Sequence, residues 1–316
     1  MALRAIGRTN YDLVGEWLDS LSVCEASREE YQRMMRRWFN FLARGRYDAD
    51  APSEKSVIDF RKSLDGHSPY YINNMVNRVR QFYRWCYQMG YWTVPIGASV
   101  RSFKLRFKYN KLPLTTDQVR ALLASVENPK RLKDYRDAVM IYLMLFNGLR
   151  CVEIARMTFA DLESYSQHTV IRIQPKGHRQ KDELRRLPDL TLAAMEDYTS
   201  VLAEIYDDVG KLPVALSLNP ALRRKPQAMS AKCVGTVVKS RLAALGIATD
   251  KVTPHSLRHS YACMLIEAGV SMDEIQAQMG HSSPQMTELY AAMVIEKKKL
   301  ESGAINDIIQ NLLNPK

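Results

Sequence analysis

The sequence predicts a mainly α-helical chain with a small β-sheet, an α+β architecture made of an all-α N-terminal domain and a larger mixed domain. Three observations predict it. At 316 residues the chain exceeds what one hydrophobic core usually organises, so two domains are expected. Four segments before residue 94 carry apolar residues at helical spacing, and none alternates as a strand does. Beyond residue 116 helical segments resume, interrupted by two short alternating stretches. The expected organisation is a helical domain over 1–94, a basic interdomain linker over 95–115, a mixed domain over 116–295 and a tail helix over 296–316.

Taken in order, YDLVGEWLDSL reads as the first helix. SREEYQRMMRRWFNFLARG reads as the second, with Ser27 and Glu30 placed as a capping box. SEKSVIDFRKSLD reads as the third, and SPYYINNMVNRVRQFYRWCYQMG as a fourth ending at Gly90, since glycine is favoured just past a helix terminus. In that fourth helix Ile72, Met75, Val76, Val79, Phe82, Tyr83 and Cys86 should face a core. The opposite stripe holds Asn73, Asn77, Arg80 and Arg84, side chains able to bond phosphates or purine edges in a major groove.

The segment VPIGASVRSFKLRFKYNKLPLTT has turn residues, weak periodicity and five basic side chains, Arg101, Lys104, Arg106, Lys108 and Lys111. It reads as a linker lying against nucleic acid. Helices follow in TDQVRALLASVEN and RLKDYRDAVMIYLMLFN, the latter stopping at Gly148. GLRCVEIARM restarts a helix with Arg150 in its first turn and Glu153 three residues on, close enough for the carboxylate to hold the guanidinium. TVIRIQ and ELRRLPDL read as two strands around a polar turn with Lys176 and Gly177 near its tip. In TPHSLRHSYACMLIEAG, Thr253 is placed to cap, Pro254 takes the first helical position and Gly269 closes the end. His255 and Arg258 then share a face near a helix N-terminus, where free N–H groups and the dipole favour an anion.

Composition narrows the partner. The chain holds 45 Lys+Arg against 34 Asp+Glu, a formal net charge of +11, and 19 of those basic residues face only 11 acidic ones in residues 1–112. No acidic residue falls between Asp65 and Asp117. Such an excess points to a polyanion, and the first third should touch it. The longest apolar run, AVMIYLMLF, is too short to cross a bilayer, and the N-terminus shows no secretory segment. Five scattered cysteines with no CxxC pair argue against a disulfide scaffold or zinc ribbon and favour a reducing cytoplasm, the bacterial nucleoid being the expected place.

The motifs NGLRCVE, PKGHRQ, HSLRHSYA and MGHSSPQMTELY, in that order, make the chain resemble the tyrosine recombinase family, also called phage integrases. The resemblance covers about 113–295 and extends more weakly to the N-terminal third, which looks like the family's core-binding domain. It implies a C-shaped clamp on DNA whose catalytic set is Arg150, Lys176, His255, Arg258, His281 and Tyr290, supported by Glu153. Cys151, Val152 and Met279 are small departures that remove no catalytic group.

The residue types suit the chemistry the resemblance implies. Two permanently charged planar guanidinium groups can hold the non-bridging oxygens of a phosphodiester. Lys176 suits the role of acid to the departing 5′ oxygen, since an ammonium, unlike a guanidinium, can give up its proton. Tyr290, with a free pKa of about 10, needs help to ionise; His255 is expected as base and His281 as a donor to the phosphate. Neither metal nor cofactor is expected: no Walker motif, carboxylate cluster or zinc spacing occurs.

The expected function is site-specific recombination through a 3′-phosphotyrosyl intermediate on double-stranded DNA carrying inverted recombinase-binding sites, by a homo-tetramer on two sites. Integration and excision of a mobile element is the leading outcome, and Xer-like chromosome or plasmid dimer resolution the alternative. A non-catalytic DNA-binding regulator and a type IB topoisomerase are the readings from other classes. In the tail, Ile305, Ile308, Ile309, Leu312 and Leu313 form one apolar stripe, to be buried on its own domain or, as the resemblance implies and as is expected here, on a neighbouring protomer.

Overall fold

Apolar helix faces gather into separate buried clusters, and the chain divides into two units, residues 1–107 and 108–316, in a computed structural model. The structure describes residues 9–104, 111–222, 224–280 and 284–301.

The first unit is four helices, α1 (Asn10–Ser20), α2 (Glu25–Arg44), α3 (Glu54–Ser63) and α4 (Pro69–Gln88). Their apolar faces meet around Trp17, Trp38, Phe60, Phe82 and Tyr83, all essentially buried. Buried aromatics usually pair their polar tips, and Trp38 Nε1 donates to the Tyr83 hydroxyl at 3.2 Å. Thr9 and Asp12 cap α1 reciprocally, and Ser68 with Pro69 starts α4. In α2 the structure departs from expectation. The helix begins at Glu25 with Cys24 at its N-cap, so Ser27 and Glu30 lie inside it. Glu25 and Ala26 are sound helix formers and carry the helix back past Ser27.

The stretch read as the start of a linker is packed on this unit. Ile96 and Val100 are buried in its core, and Arg61 Nη1 donates to the Arg101 carbonyl at 2.9 Å. At the other end, Leu112 N–H donates to Lys251 O, Leu114 N–H donates to Ser260 Oγ, and Leu114 is buried in the second unit.

The second unit is organised around α6 (Leu132–Phe146), whose residues from Ala138 to Leu145 are all buried, so it reads apolar on every side. Around it lie α5 (Thr116–Ala124), α7 (Cys151–Arg156), α8 (Asp189–Ala203), α9 (Ala231–Ala244) and α10 (Pro254–Glu267). The pair α11 (Met272–Met279) and α12 (Pro284–Glu301) closes on α10 over Ala262, Cys263, Ile275, Met279, Tyr290 and Val294. The sheet is antiparallel in the order β1 (Leu162–Tyr165), β2 (His168–Ile173), β3 (Glu183–Arg186). The sequence shows β2 and β3 but not β1. LESY is a short edge strand, half to fully exposed, so it lacks the alternation that marks a buried face. The expected tail is described only to Glu301, as the last turns of α12; its apolar stripe lies outside the described residues.

Candidate active site

Arg150 is placed by a break between two helices. Beyond α6, Gly148 takes φ +62°, and a Cβ there would stand 2.5 Å from Cδ1 of the Tyr261 ring, so glycine is required twice over. Arg150 then serves as the N-cap of α7 rather than sitting inside its first turn. Glu153, 1% exposed, accepts from the Arg150 N–H at 2.7 Å and from its Nη1 at 2.8 Å. The same carboxylate accepts a longer bond, 3.4 Å, from the Lys176 N–H at the tip of the β2–β3 connection. One buried carboxylate therefore fixes an arginine and the backbone of a distant lysine whose own side chain is exposed.

Arg258 is 2% exposed on α10. Its Nη1 donates to the Gly148 carbonyl and its Nη2 to the Met279 carbonyl, at the ends of α6 and α11. Burial, then the charge of Arg150, lowers its pKa to about 10, so it remains cationic at neutral pH. His255, one turn earlier, is exposed at the surface. Desolvation of the ring by the packed atoms around it, then the positive charges of Arg258, Arg150 and Lys176, hold its pKa down to about 4. Its imidazole is thus neutral at pH 7 and able to accept a proton. Arg258, Arg150 and Lys176 lie near enough for their charges to act on His255, so α10, α7 and the hairpin set three cationic groups about one imidazole.

Tyr290 lies on α12, 1% exposed. Its hydroxyl meets Nδ1 of His259 at 2.7 Å, so the imidazole found against the phenol is one the sequence reading passed over. His259 follows Arg258 directly and is itself 1% exposed, which makes it look like an ordinary core polar residue. The signal available was its position on the face of His255, four residues earlier. His281 lies outside the described residues, one position after Gly280, which ends α11 in the left-handed region.

The residues expected against DNA fall in the first unit and, for Lys108 and Lys111, at the start of the second. Asn73 is a correction: it is 9% exposed, its Nδ2 donates to the Phe103 carbonyl at 2.9 Å and its Oδ1 accepts from the Phe103 N–H at 2.8 Å. With both ends of the amide engaged and the side chain buried, it cannot reach a groove. Asn77, Arg84, Arg101 and Lys104 are exposed and Arg80 half-buried. Arg80 bonds Asn77 and Ser102. Lys111 donates to the Asp250 carbonyl in the second unit, while Arg106 and Lys108 lie outside the described residues. A basic cleft of about 590 Å³ lined by Arg33, Arg36, Arg37, Asn40 and Arg44 of α2 was not anticipated, because Glu29 and Glu30 mix the charge of that segment in sequence.

A helical unit with a three-stranded sheet presents two arginines, a histidine and a lysine near one another, a set suited to holding an anion. The chain belongs to the phage integrase family, whose model matches residues 113–296, and it is a tyrosine site-specific recombinase. A tyrosine recombinase XerD from Caulobacter vibrioides is 28% identical over 255 residues, 79% of this chain and 80% of its own length. A tyrosine recombinase XerA from Pyrococcus furiosus is 24% identical over 287 residues, 88% and 90% of the two chains. Among solved structures, XerH site-specific recombinase bound to palindromic difH substrate in a post-cleavage complex has the same fold, with TM-score 0.70, 15% identity, and 92% of this chain and 80% of that one covered. A lambda integrase dimer bound to a COC′ core site is similar at TM-score 0.64 and 16% identity, covering 90% and 95%. Among the described residues no helix is long and apolar enough to cross a membrane.

Proposed function

We propose that the chain cuts and rejoins DNA through a covalent 3′-phosphotyrosyl link to Tyr290, exchanging strands between two copies of a short inverted-repeat site. The convergence of Arg150, Arg258, His255 and Lys176, tied by Glu153 and by two helix-end carbonyls, carries this reading. In the reaction the Tyr290 O–H gives up its proton, with neutral His255 at hand to accept it, as the phenolic oxygen bonds to phosphorus. The bond from phosphorus to the 5′ oxygen breaks, and Lys176 supplies the proton that leaves it as a hydroxyl. Arg150 and Arg258 neutralise the non-bridging oxygens, and His281 adds a donor to them. A 5′ hydroxyl from the second duplex reverses the step, so the bond energy stays in the protein link. Asn77, Arg80, Arg84, Arg101, Lys104, Arg106, Lys108 and Lys111 would hold the duplex, mainly through its backbone.

The outcome we favour is Xer-like resolution of chromosome or plasmid dimers, because the Xer recombinases this chain resembles align with it over most of both lengths. Integration and excision of a mobile element is the second reading. Assembly as a tetramer on two sites, with the segment after Gly303 exchanged between protomers, fits either. The test is to trap covalent complexes in cells, map the modified peptide and sequence the attached DNA. A peptide containing Tyr290 joined to one locus near the replication terminus supports the first outcome; element ends support the second; a different linked residue ends the proposal.

Lys176→Ala separates acid from scaffold. Cleavage of an ordinary strand should fall about 10²- to 10⁴-fold, the usual worth of a positioned acid. A substrate with sulfur at the 5′ bridging position should recover most of that loss, since a thiolate leaves without a proton. Equal loss on both substrates in single-turnover assays would remove Lys176 from the acid role.

A further inference from the structure

We propose that His259 is a positioning residue that holds the Tyr290 phenol inside the DNA-free enzyme, so that the nucleophile reaches a phosphate only after leaving this imidazole. The inference rests on Tyr290 being the nucleophile. The hydroxyl lies 2.7 Å from His259 Nδ1, and the two rings are 5.3 Å apart at 50°. Both residues are 1% exposed, enclosed by Ala262, Cys263, Ile275, Met279 and Val294. A phosphate in a duplex approaches from solvent, and attack needs the oxygen within about 3 to 3.5 Å of phosphorus. At this burial the phenol does not meet that condition.

The surroundings say where the phenol must go. On the solvent side of His259 stands His255, with ring centroids 4.6 Å apart at 68°, and beside it the anion locus of Arg258 and Arg150. Tyr290 is close enough for its charge to act on Arg258. The phenol therefore rests one imidazole deeper than the groups that would bind phosphate. The resting nucleophile is thus enclosed and held by its contact with His259 Nδ1. His259 acts here on Tyr290 and not on the substrate. A base would make the same contact, and the adduct rate of a His259 variant separates the two roles.

The experiment uses the full-length protein without DNA, nitrated by tetranitromethane, with each tyrosine quantified by peptide mass spectrometry. In the wild type Tyr290 should react far more slowly than Tyr165, which is 64% exposed. His259→Leu should speed nitration of Tyr290 about tenfold, the scale of one buried hydrogen bond, and leave Tyr165 unchanged. His259→Gln, whose amide oxygen can accept the phenolic proton, should remain near wild type. On a nicked half-site at saturating DNA, His259→Leu should form covalent adduct at least as fast as wild type with unchanged site affinity.

Wild-type Tyr290 reacting as fast as Tyr165, or staying protected in His259→Leu, would overturn the proposal. So would a tenfold slower adduct rate in that variant, which would make His259 the proton acceptor. If His259→Leu does not fold, His259→Asn, too short to reach the phenol, takes its place. A wild type that forms no adduct at Tyr290 defeats the nucleophile assignment, whatever the nitration result.

Discussion

Tyr290→Phe should bind its duplex site with unchanged affinity and form no covalent adduct on a nicked substrate. The replacement removes one oxygen from a side chain that is 1% exposed, so the ring keeps its packing against Cys263, Ile275 and Met279. The bond to His259 is lost, at a cost of about 1 kcal/mol, too little to unfold a domain of this size. Chemistry is a different matter: with no nucleophilic oxygen there is no route to the covalent intermediate, and loss of such a group costs on the order of 10⁴-fold or more. Gel shift and denaturing-gel adduct assays on the same preparation check both halves. Adduct at normal yield would move the nucleophile to another residue.

The second large effect is expected at Arg258. Arg258→Lys keeps a positive charge in place but not the planar fork that reaches the Gly148 and Met279 carbonyls together. Leaving a buried acceptor unpaired costs about 1 to 3 kcal/mol, so melting should shift down as well. The burial that lowers Arg258 to about 10 would act on a lysine whose starting value is about two units lower. The replacement therefore loses charge as pH rises, and its adduct rate should fall toward alkaline pH more steeply than that of the wild type. At neutral pH a drop of about 10²- to 10³-fold is expected, the worth of one preorganised charge donor. Single-turnover adduct formation across pH, with site affinity measured alongside, provides the check. A lysine variant at full rate would show that charge alone suffices there.

Much of the catalytic unit was legible because its signals are local. Thr253, Pro254 and the apolar spacing that follows fix where α10 starts, and hence that His255 and Arg258 share a face. Arg150 and Glu153 are three apart, so their ion pair needs no long-range contact. What was missed depends on contacts far apart in sequence. Asn73 has the spacing of an exposed stripe, yet the chain near Phe103 crosses α4 there and takes both ends of its amide. His259 and Tyr290 are 31 residues apart, and nothing in either helix alone reveals that they meet. The edge strand β1 was hidden by its exposure, since only a buried face writes alternation into sequence.

Two glycines flank the catalytic groups in opposite circumstances. At Gly148 an added methyl group would collide with an aromatic ring, whereas at Gly177 the space around the backbone is open. Relatives of this enzyme should therefore keep glycine at both positions, at Gly177 because φ +96° disfavours a side chain and at Gly148 because an added atom also meets the ring, while open space leaves the loop around Gly177 freer to change elsewhere. Crowding on one side and open space on the other thus frame Glu153, the carboxylate that accepts from both Arg150 and the Lys176 backbone, and directed changes belong on the open side.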